Sequence, residues 1–378
     1  MDCVSNKDFN DFLDDVRTRG LAGEFETQGY ISADIVEGFK KYGVYRAMVP
    51  KRFGGLEQSP AEFCRLIEKI SEADGSAGWV ASFGMSPAYF GALPVKTLEK
   101  LYSKTPDIIF AGGIFPPQPA QKSNNQYCVS GRWKFSSGCM SADIVGVGIM
   151  PMEGESALGL PRMAVLPKQD VEIDMTWDTV GLRGTGSHDL VVNNQFVDED
   201  WTFIRGSASQ LDEPFFRYPS LSFATQVLVI TGAGITQAAI KQFKSMAEGR
   251  SITGGVKMGE RPVTQFNFAQ LVARFEGARS WFYEAINQTW ESILAGNTPS
   301  KEQIMQMRLS STQLTRTCSE VTRHLQLMAG MSAIYNGHPL ARYVNDMNVL
   351  TQHAFMGDLT FQNAGAVLFG HEPTPGFL

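Results

Sequence analysis

The segment GLRGTGS at residues 181–187 groups three glycines with two hydroxyl side chains, a composition that could hold a phosphate or another polar group. Successive backbone N–H groups in such a loop can form a concave anion site, and the hydroxyls of Thr185 and Ser187 would add donors. The same letters fit an ordinary β-turn, because glycine reaches positive φ without steric cost. The loop therefore needs a second feature beside it before it predicts a site.

GRWKFSSG at residues 131–138 is the second feature. Alternate residues of a strand point to the same face, so Trp133 and Phe135 are predicted to share one apolar face. This face ends at the hydroxyls of Ser136 and Ser137. An apolar face with hydroxyl groups at its end suits a flat ligand with a polar edge. A barrel strand that ends in an ordinary Ser-Gly turn is the alternative.

The histidines and cysteines do not predict a metal site. The sequence contains no H-E-x-x-H or C-x-x-C spacing, and its cysteine count is odd. We therefore predict neither a metal centre nor a disulfide framework. The five cysteines are Cys3, Cys64, Cys128, Cys139 and Cys318.

A dinucleotide site has to be weighed for VLVITGAGITQAAI, residues 227–240. The run looks like a strand, a glycine-rich turn and a helix. A dinucleotide-binding fold needs a second strand that ends in an acidic residue about 20 positions later, and the following residues offer no such strand. We therefore interpret the run as part of one helix, in which Gly232 and Gly234 allow close packing.

Length and charge exclude several classes of protein. The chain has 378 residues with 33 Lys+Arg and 39 Asp+Glu, which gives a formal net charge of -6. Without a basic cluster the chain is a poor partner for nucleic acid. The N-terminal residues are charged where a signal peptide needs an apolar core, and no apolar run reaches the roughly 20 residues of a membrane span. We predict a cytoplasmic protein of two or three lobes that binds neither nucleic acid nor membrane.

The elements that must position these residues are predicted to form a mainly α fold with a central β domain. Residues 1–110 show apolar residues at helical spacing and form a predicted N-terminal helical domain. Residues 111–210 carry short runs of valine, isoleucine and aromatic residues between Gly and Pro turns, which indicates an antiparallel barrel or sandwich. Residues 211–378 return to helical periodicity, in runs long enough for a four-helix bundle.

A helical domain, a β-barrel and a helical bundle in this order resemble the acyl-CoA dehydrogenase fold. Several segments resemble motifs of that family, in the expected order and over nearly the whole chain. The sequences GRWKFSSG and GLRGTGS are similar to motifs of the flavin-dependent monooxygenases of this fold. These enzymes are the oxygenase components of two-component systems. The segments that carry the resemblance are VPKRFGG, EKISEADGSAGWVAS, GRWKFSSG, WDTVGLRGTGSHDLVVNNQFVDED and ERPVTQFNFAQLVARFEGAR.

The resemblance implies that both loops lie at a flavin. It makes Ser137, or its neighbour Ser136, the partner of the flavin N5 atom. Trp133 and Phe135 would then form the apolar wall beside the isoalloxazine ring. The residues through which the glycine-rich loop would contact the flavin or its phosphates are Arg183, Thr185 and Ser187.

Arg261 stands just before a long predicted helix. It matches an arginine that, in the dehydrogenases of this fold, reaches the flavin pyrophosphate across a subunit boundary. A guanidinium suits this role because it binds phosphate through two hydrogen bonds. A solvated arginine at a helix start is the alternative. If the match holds, the resemblance implies a homotetramer.

The C-terminal segment bears on the reaction class. In many acyl-CoA dehydrogenases, a glutamate base follows an Arg-Asp pair. Here Arg342 and Asp346 resemble the pair loosely, and the residue eight positions after Asp346 is Ala354. His353 stands beside it, and a neutral imidazole can orient a substrate or carry the proton released on hydroxylation. A base from an earlier helix of the bundle is the alternative.

The resemblance thus implies an oxygenase component that uses O₂ and reduced FAD, with FMN as an alternative, to hydroxylate or epoxidise a small aromatic substrate. A separate NAD(P)H-dependent flavin reductase would supply the reduced flavin. The wording looks most like that of bacterial indole oxygenases, which implies indole as the substrate. The alternatives are a phenolic-compound hydroxylase of the same branch, an acyl-CoA dehydrogenase, and a flavoprotein without catalytic activity.

Overall fold

Helices lie towards both ends of the chain and strands lie in its middle, which confirms the predicted fold class. The computed structural model describes residues 6–251 and 255–377. Within them the α-helices are α1 (Asn6–Leu21), α2 (Glu24–Gln28), α3 (Ala33–Lys41), α4 (Pro60–Ala73), α5 (Gly75–Ala81), α6 (Pro87–Phe90), α7 (Val95–Leu101), α8 (Ser220–Gly249), α9 (Pro262–Leu294), α10 (Lys301–Ala329), α11 (Pro339–Leu350) and α12 (Leu359–Leu368). The strands are β1 (Phe110–Ser123), β2 (Gln126–Trp133), β3 (Ile144–Glu153), β4 (Ser156–Ala157), β5 (Arg162–Pro167), β6 (Glu172–Asp174), β7 (Asp189–Asp198) and β8 (Thr202–Phe203).

Helix α4 illustrates how the sequence sets the N-terminal lobe. The Ser59 hydroxyl accepts the backbone N–H of Glu62, and the Glu62 carboxylate accepts the backbone N–H of Ser59. Pro60 follows in the first turn, where its missing N–H leaves no helical hydrogen bond unmade. Phe63 and Ile67 are fully buried on one face of the helix. Helical spacing in this lobe therefore predicted a real amphipathic helix.

The strands form one sheet in the order β6-β7-β2-β1-β3-β5-β8, with β4 beside β3. The pairings are antiparallel except for that of β1 with β3, which is parallel. The parallel pair arises because β2 returns the chain to its starting edge, so that β3 runs in the direction of β1. In the described residues the hydrogen-bonded path runs from β6 to β8 without closing. We keep 1–110, 111–210 and 211–378 as proposed domain divisions, because the strands occupy residues 110–203.

Helix α8 is the central helix of the C-terminal lobe and contains residues 227–240, which excludes the dinucleotide-binding interpretation. A Cβ at Gly234 would lie 2.5 Å from the carbonyl oxygen of Glu68, and a Cβ at Gly232 would lie 3.2 Å from the methyl group of Met347. Both glycines therefore allow close packing, as predicted. α8 is long and apolar enough to cross a membrane, but 94% of its most apolar window is buried inside the fold. A helix that is apolar on all sides is typical of a protein core.

A buried carboxylate joins the N-terminal lobe to the helical bundle. Glu68 on α4 pairs with Arg279 on α9 and accepts the hydroxyl of Tyr283 at 2.6 Å. Removing one partner of such a group typically costs about 3–5 kcal/mol, because the other charge is left buried and unpaired. Helix α10 packs on both α8 and α9, and α11 packs on α8 and α10, which gives four packed helices.

Candidate active site

The two loops singled out in the sequence meet in a buried hydroxyl cluster, which consists of Ser137, Thr185, Ser187 and the indole of Trp79. The Oγ atoms of Ser137 and Ser187 lie 2.6 Å apart, and Ser187 Oγ lies 2.8 Å from Thr185 Oγ1. Trp79 on α5 donates its indole N–H to Ser137 Oγ at 3.1 Å. Residues from the N-terminal helical lobe and from the β domain thus form the hydroxyl cluster together.

Backbone geometry holds the glycine-rich loop in place. The backbone N–H of Gly138 donates to the carbonyl of Thr185 at 2.8 Å, which ties the two loops together. The loop makes a short 3-10 turn (Arg183–Thr185) with a left-handed residue at each end, Leu182 at φ 48° and Gly186 at φ 55°. Glycine reaches this conformation without cost, whereas leucine needs support from its surroundings.

Trp133 and Phe135 do not share a face, so that prediction is wrong. β2 ends at Trp133, whose ring is fully buried and donates its N–H to the carbonyl of Gly148 at 2.8 Å. Phe135 has φ 64°, and its ring is 68% exposed, in edge contact with Trp177 at 6.3 Å. The left-handed backbone at Phe135 interrupts the alternation of the strand and turns its ring outwards. Trp133 packs in the sheet, and Phe135 is the ring that a ligand could reach.

The neighbouring serines face different surroundings. The Ser137 hydroxyl belongs to the hydroxyl cluster and faces Trp79 of the helical lobe. The Ser136 hydroxyl is buried, has no hydrogen-bond partner among the described residues and faces β1, where a Cβ at Gly113 would lie 2.9 Å from it. The structure thus separates the two serines between which the sequence could not choose.

His353 adjoins the hydroxyl cluster through Trp79. Its ring lies 5.9 Å from the Trp79 ring and 4.9 Å from the Phe355 ring, measured between centroids. His353 Nδ1 accepts the backbone N–H of Phe355 at 3.3 Å, so the neutral ring carries its proton on Nε2. Burial, together with the nearby positive charge of Arg205, lowers the pKa of His353 to about 4. At neutral pH the ring is therefore an uncharged N–H donor and a weak base.

Two arginines without an acidic partner lie on the Phe355 side of the site. The guanidinium of Arg205 lies 5.1 Å from the centre of the Phe355 ring and 5.5 Å from that of Tyr89. The guanidinium of Arg308 on α10 lies 4.8 Å from the Phe377 ring, and its buried Nε has no hydrogen-bond partner. Within residues 6–251 and 255–377, neither arginine forms an ion pair with a carboxylate.

Helix α11 supports both the glycine-rich loop and α5. The Asp346 carboxylate accepts the backbone N–H of Leu182 at 2.6 Å, which holds the left-handed residue of the loop. Arg342 pairs with Asp74, and Asp74 caps α5 by accepting the N–H of Ala77 at 2.9 Å. Burial raises the pKa of Asp346 to about 7, although the Arg342 charge opposes this shift. The Arg-Asp pair seen in the sequence is thus part of the support of the site.

Arg183 and Arg261 make no contact with the hydroxyl cluster in the described chain. Arg183 pairs with the exposed Asp178 at 3.0 Å and lines a polar cavity of about 510 Å³ that also contains Glu26 and Arg342. Arg261 precedes α9 and has an exposed side chain. Its role at a flavin stays a prediction.

The site has the donors and surfaces that a flavin needs. The hydroxyl cluster can bond to the polar edge of the ring, the orphaned hydroxyl of Ser136 is a further buried donor, and Phe135 presents an aromatic surface. Arg183 is available to a phosphate at the rim. In the described residues, no group of three or more His, Cys, Asp or Glu side chains could hold a metal ion.

Trp79, Arg205 and Arg308 are the residues that sequence reasoning missed. Trp79 lies in the EKISEADGSAGWVAS segment, so the resemblance offered a signal for it. The two arginines have no local signal, because an unpaired charge is defined by the absence of acidic neighbours in space.

Family models match both helical parts of the chain. The acyl-CoA dehydrogenase N-terminal domain matches residues 7–92, and the acyl-CoA dehydrogenase C-terminal domain matches residues 226–358. The β sheet lies between the two matches. The chain therefore belongs to the acyl-CoA dehydrogenase family.

Relatives and solved structures make the assignment more specific. The chain is 58% identical to an indole-3-acetate monooxygenase of Acinetobacter baumannii, over 98% of this chain and 96% of the relative. It is 56% identical to an indole-3-acetate monooxygenase of Pseudomonas putida, over 99% and 96%. It is 24% identical to a flavin-dependent monooxygenase oxygenase subunit of Rhodococcus jostii, over 89% and 91%.

Among solved structures, XiaF from Streptomyces sp. in complex with FADH₂ and glycerol superposes with a TM-score of 0.91 at 20% identity, over 97% of this chain and 95% of the other. The 3-HSA hydroxylase from Rhodococcus sp. RHA1 also gives a TM-score of 0.91, at 22% identity over 98% and 97%. The chain belongs to the flavin-dependent monooxygenases of the acyl-CoA dehydrogenase fold, as an oxygenase component. The family predicted from the sequence is confirmed.

Proposed function

We propose that the protein oxygenates the ring of indole-3-acetate with reduced flavin from a separate reductase. The observation that carries this proposal is the 58% identity, over nearly the whole chain, to an indole-3-acetate monooxygenase. Indole itself, the substrate expected from the sequence, contains the same ring and is the second candidate. The rings of Trp79, Tyr89 and Phe355 supply the apolar surroundings that either compound needs.

The residues of this chain can hold the flavin at the hydroxyl cluster. Reduced flavin supplies the two electrons with which one atom of O₂ enters the aromatic ring while the other leaves as water. Ser137 is the candidate for the bond to flavin N5, because Trp79 and Ser187 hold its hydroxyl in a fixed position. Thr185 extends the same row of hydroxyls. The guanidinium of Arg183 is available to a phosphate.

His353 orients the substrate in this proposal. Its Nδ1 is engaged by the backbone of Phe355, so Nε2–H is the group that remains for a ligand. A ring with a pKa of about 4 accepts a proton poorly at neutral pH but stays a good hydrogen-bond donor. Of the two roles that the sequence left open, orientation therefore has more support than proton transfer.

We further propose reduced FAD as the cofactor, with FMN as the alternative, and a cytoplasmic homotetramer. The complex of XiaF with FADH₂ supports FAD. The side chain of Arg261 is exposed and forms no hydrogen bond or ion pair in the described residues, which supports a site shared between subunits.

Anaerobic mixing of the purified chain with reduced FAD, followed by O₂ and an aromatic compound, tests the proposal. The compounds are indole-3-acetate, indole, phenol and 4-hydroxyphenylacetate. We expect oxygenated indole-3-acetate to form fastest and the chain alone to oxidise no NADH. Rapid NADH oxidation without a reductase would contradict the two-component assignment, and preferred oxygenation of a phenol would contradict the substrate assignment.

A further inference from the structure

Arg205 and Arg308 form a pair of positive charges that no acidic group in the described chain neutralises. Arg205 follows β8 and Arg308 lies on α10, and tertiary folding brings them close enough for the charge of Arg205 to act on Arg308. Burial and the charge of Arg205 lower the pKa of Arg308. A lowered arginine pKa means that the charged form is poorly solvated and repelled by its neighbour.

Two other partly buried arginines, each joining separate helices, have carboxylate partners. Arg279 pairs with Glu68 and Arg342 pairs with Asp74, both within hydrogen-bond distance. Arg205 and Arg308 contact aromatic rings and form no ion pair with a carboxylate in the described residues. A cation–π contact is typically worth about 0.5–2 kcal/mol and leaves the charge in place. The positive charge of the pair is therefore neutralised only when an anion binds beside it.

The pair lies at the end of the candidate site that is remote from the hydroxyl cluster. Trp79 bonds to the cluster, His353 contacts Trp79, and Phe355 contacts His353. Arg205 stacks on Phe355. The side chains thus follow each other from polar hydroxyls through aromatic rings to positive charge.

We infer that Arg205 and Arg308 bind the carboxylate of the substrate, which makes the site selective for aromatic acetic acids over neutral aromatic compounds. This inference rests on the proposed function, because it states which part of the pocket holds the acid group of that substrate. A guanidinium pairs with a carboxylate through two parallel hydrogen bonds, which also fixes the direction of the attached ring. The aromatic ring then lies towards His353 and the hydroxyl cluster.

A phosphate of the flavin carries the same anionic oxygens and is the other source of such a ligand. The polar cavity that Arg183 lines is a different candidate place for the flavin phosphates, because neither Arg205 nor Arg308 lines it. The carboxylate of the substrate is therefore the favoured occupant, and the test has to distinguish the two.

The test compares indole-3-acetate with its neutral isostere indole-3-acetamide in the wild type, Arg205→Gln and Arg308→Gln. Arg323→Gln, an exposed position on the same helix as Arg308, is the matched control. We expect kcat/KM for the acid to fall roughly 10- to 100-fold in each arginine variant, the scale of a charged hydrogen bond, while kcat/KM for the amide stays within about threefold. The control should leave both values unchanged.

Each other outcome overturns the inference in its own way. Equal losses for acid and amide would show that the arginines only support the fold. Weaker binding of reduced flavin without a change in the preference for the acid would assign the pair to the flavin phosphate. If an arginine variant does not fold, the wild type alone still decides, since equal kcat/KM for acid and amide contradicts a carboxylate site.

A failure of the proposed function can be distinguished from a failure of this inference. If the wild type oxygenates neither compound, the pair is tested by anaerobic binding of indole-3-acetate and indole-3-acetamide. Tighter binding of the acid, lost in Arg205→Gln, supports the inference without the reaction. Equal binding of acid and amide rejects it.

Discussion

The Ser137 hydroxyl accepts from an indole N–H and forms a hydrogen bond with the Ser187 hydroxyl, so its position is fixed before any ligand binds. Ser137→Ala removes this group from the hydroxyl cluster. We expect the variant to release more H₂O₂ and to place less oxygen in the substrate. A hydrogen bond of about 0.5–1.5 kcal/mol corresponds to a threefold to tenfold change in coupling. Coupling is measured as product formed per O₂ consumed.

Ser136→Ala is the neighbouring comparison. Its hydroxyl faces β1 and not the hydroxyl cluster, so we expect a smaller effect on coupling. A larger effect of Ser136→Ala than of Ser137→Ala would reverse our assignment of the two serines.

The pH dependence of His353 follows from its burial. A histidine with the usual pKa loses its neutral form near pH 6.5. With its pKa lowered to about 4, His353 is still mostly neutral at pH 5, and protonates only as the pH falls towards 4. Coupled product formation should therefore stay constant between pH 8 and about pH 5 as far as this residue decides it. NMR titration of labelled histidine, with His353→Gln to assign the signal, measures the pKa directly.

The size of the His353→Ala effect separates the two roles of the ring. Proton transfer is worth about 10²-fold or more, so orientation alone should cost less than that. A loss above this level, together with a pH midpoint near 6.5, would favour proton transfer.

The residue scale also shows where prediction from sequence ends. Ser137, Thr185 and Ser187 could be singled out because hydroxyls and glycines were grouped along the chain. The sequence could not show that Trp133 and Phe135 lie on different faces. A left-handed residue at the end of a strand does not change the alternating sequence pattern. Loop conformation decided the outcome there.

At the scale of elements, α11 and the glycine-rich loop depend on one carboxylate. The folded protein raises the pKa of Asp346 to about 7, above its unfolded value of 3.8. The carboxyl group is therefore favoured as its protonated form, and its contribution to stability is lost as the pH rises from about 4 through about 7. The change amounts to about 1.4 kcal/mol for each unit of pKa shift.

Asp346→Asn keeps an acceptor for the Leu182 N–H but cannot ionise. We expect the wild type to lose thermal stability relative to this variant as the pH rises through 7. Thermal midpoints measured between pH 5 and 8 check this. An increase in the relative stability of the wild type would mean that pairing with Arg342 outweighs burial.

The sequence predicted helices where hydrophobic periodicity extends over many residues. It did not predict which strands pair. The lack of a following strand that ends in an acidic residue predicted a helix through Gly232 and Gly234, and α8 confirms it. The parallel pairing of β1 and β3 depends on how β2 returns the chain, which the composition of single strands does not encode.

At the scale of the whole molecule, we propose that Arg261 links flavin binding to assembly. It is exposed at the start of α9 and its substitution removes no core contact. Arg261→Ala should weaken reduced-FAD binding roughly 10-fold, as expected for a charged hydrogen bond, and should leave the thermal midpoint unchanged. Fluorescence titration and light scattering measure the affinity and the mass. Arg274→Ala, an exposed position on the same helix, is the control; an active, flavin-saturated monomer would contradict a shared site.

The order of the lobes was predictable for the whole chain because each lobe has its own residue composition and hydrophobic periodicity. The arginine pair was not, since Arg205 and Arg308 lie in different lobes and their lack of acidic neighbours appears only after folding. Charged sites between lobes therefore require the structure.

Helix α11 gives the three lobes a common reference. Through Asp346 it fixes the glycine-rich loop of the β domain, through Arg342 and Asp74 it fixes the start of the helix that carries Trp79, and it ends just before His353. When lobes shift slightly against one another, groups attached to the same helix keep their mutual distances. The residues around the hydroxyl cluster therefore move together when the lobes shift. Arg205 is not attached to α11 by these contacts. We therefore expect substitutions of Arg205 or Arg308 to change substrate preference without altering the spacing of the groups around the hydroxyl cluster.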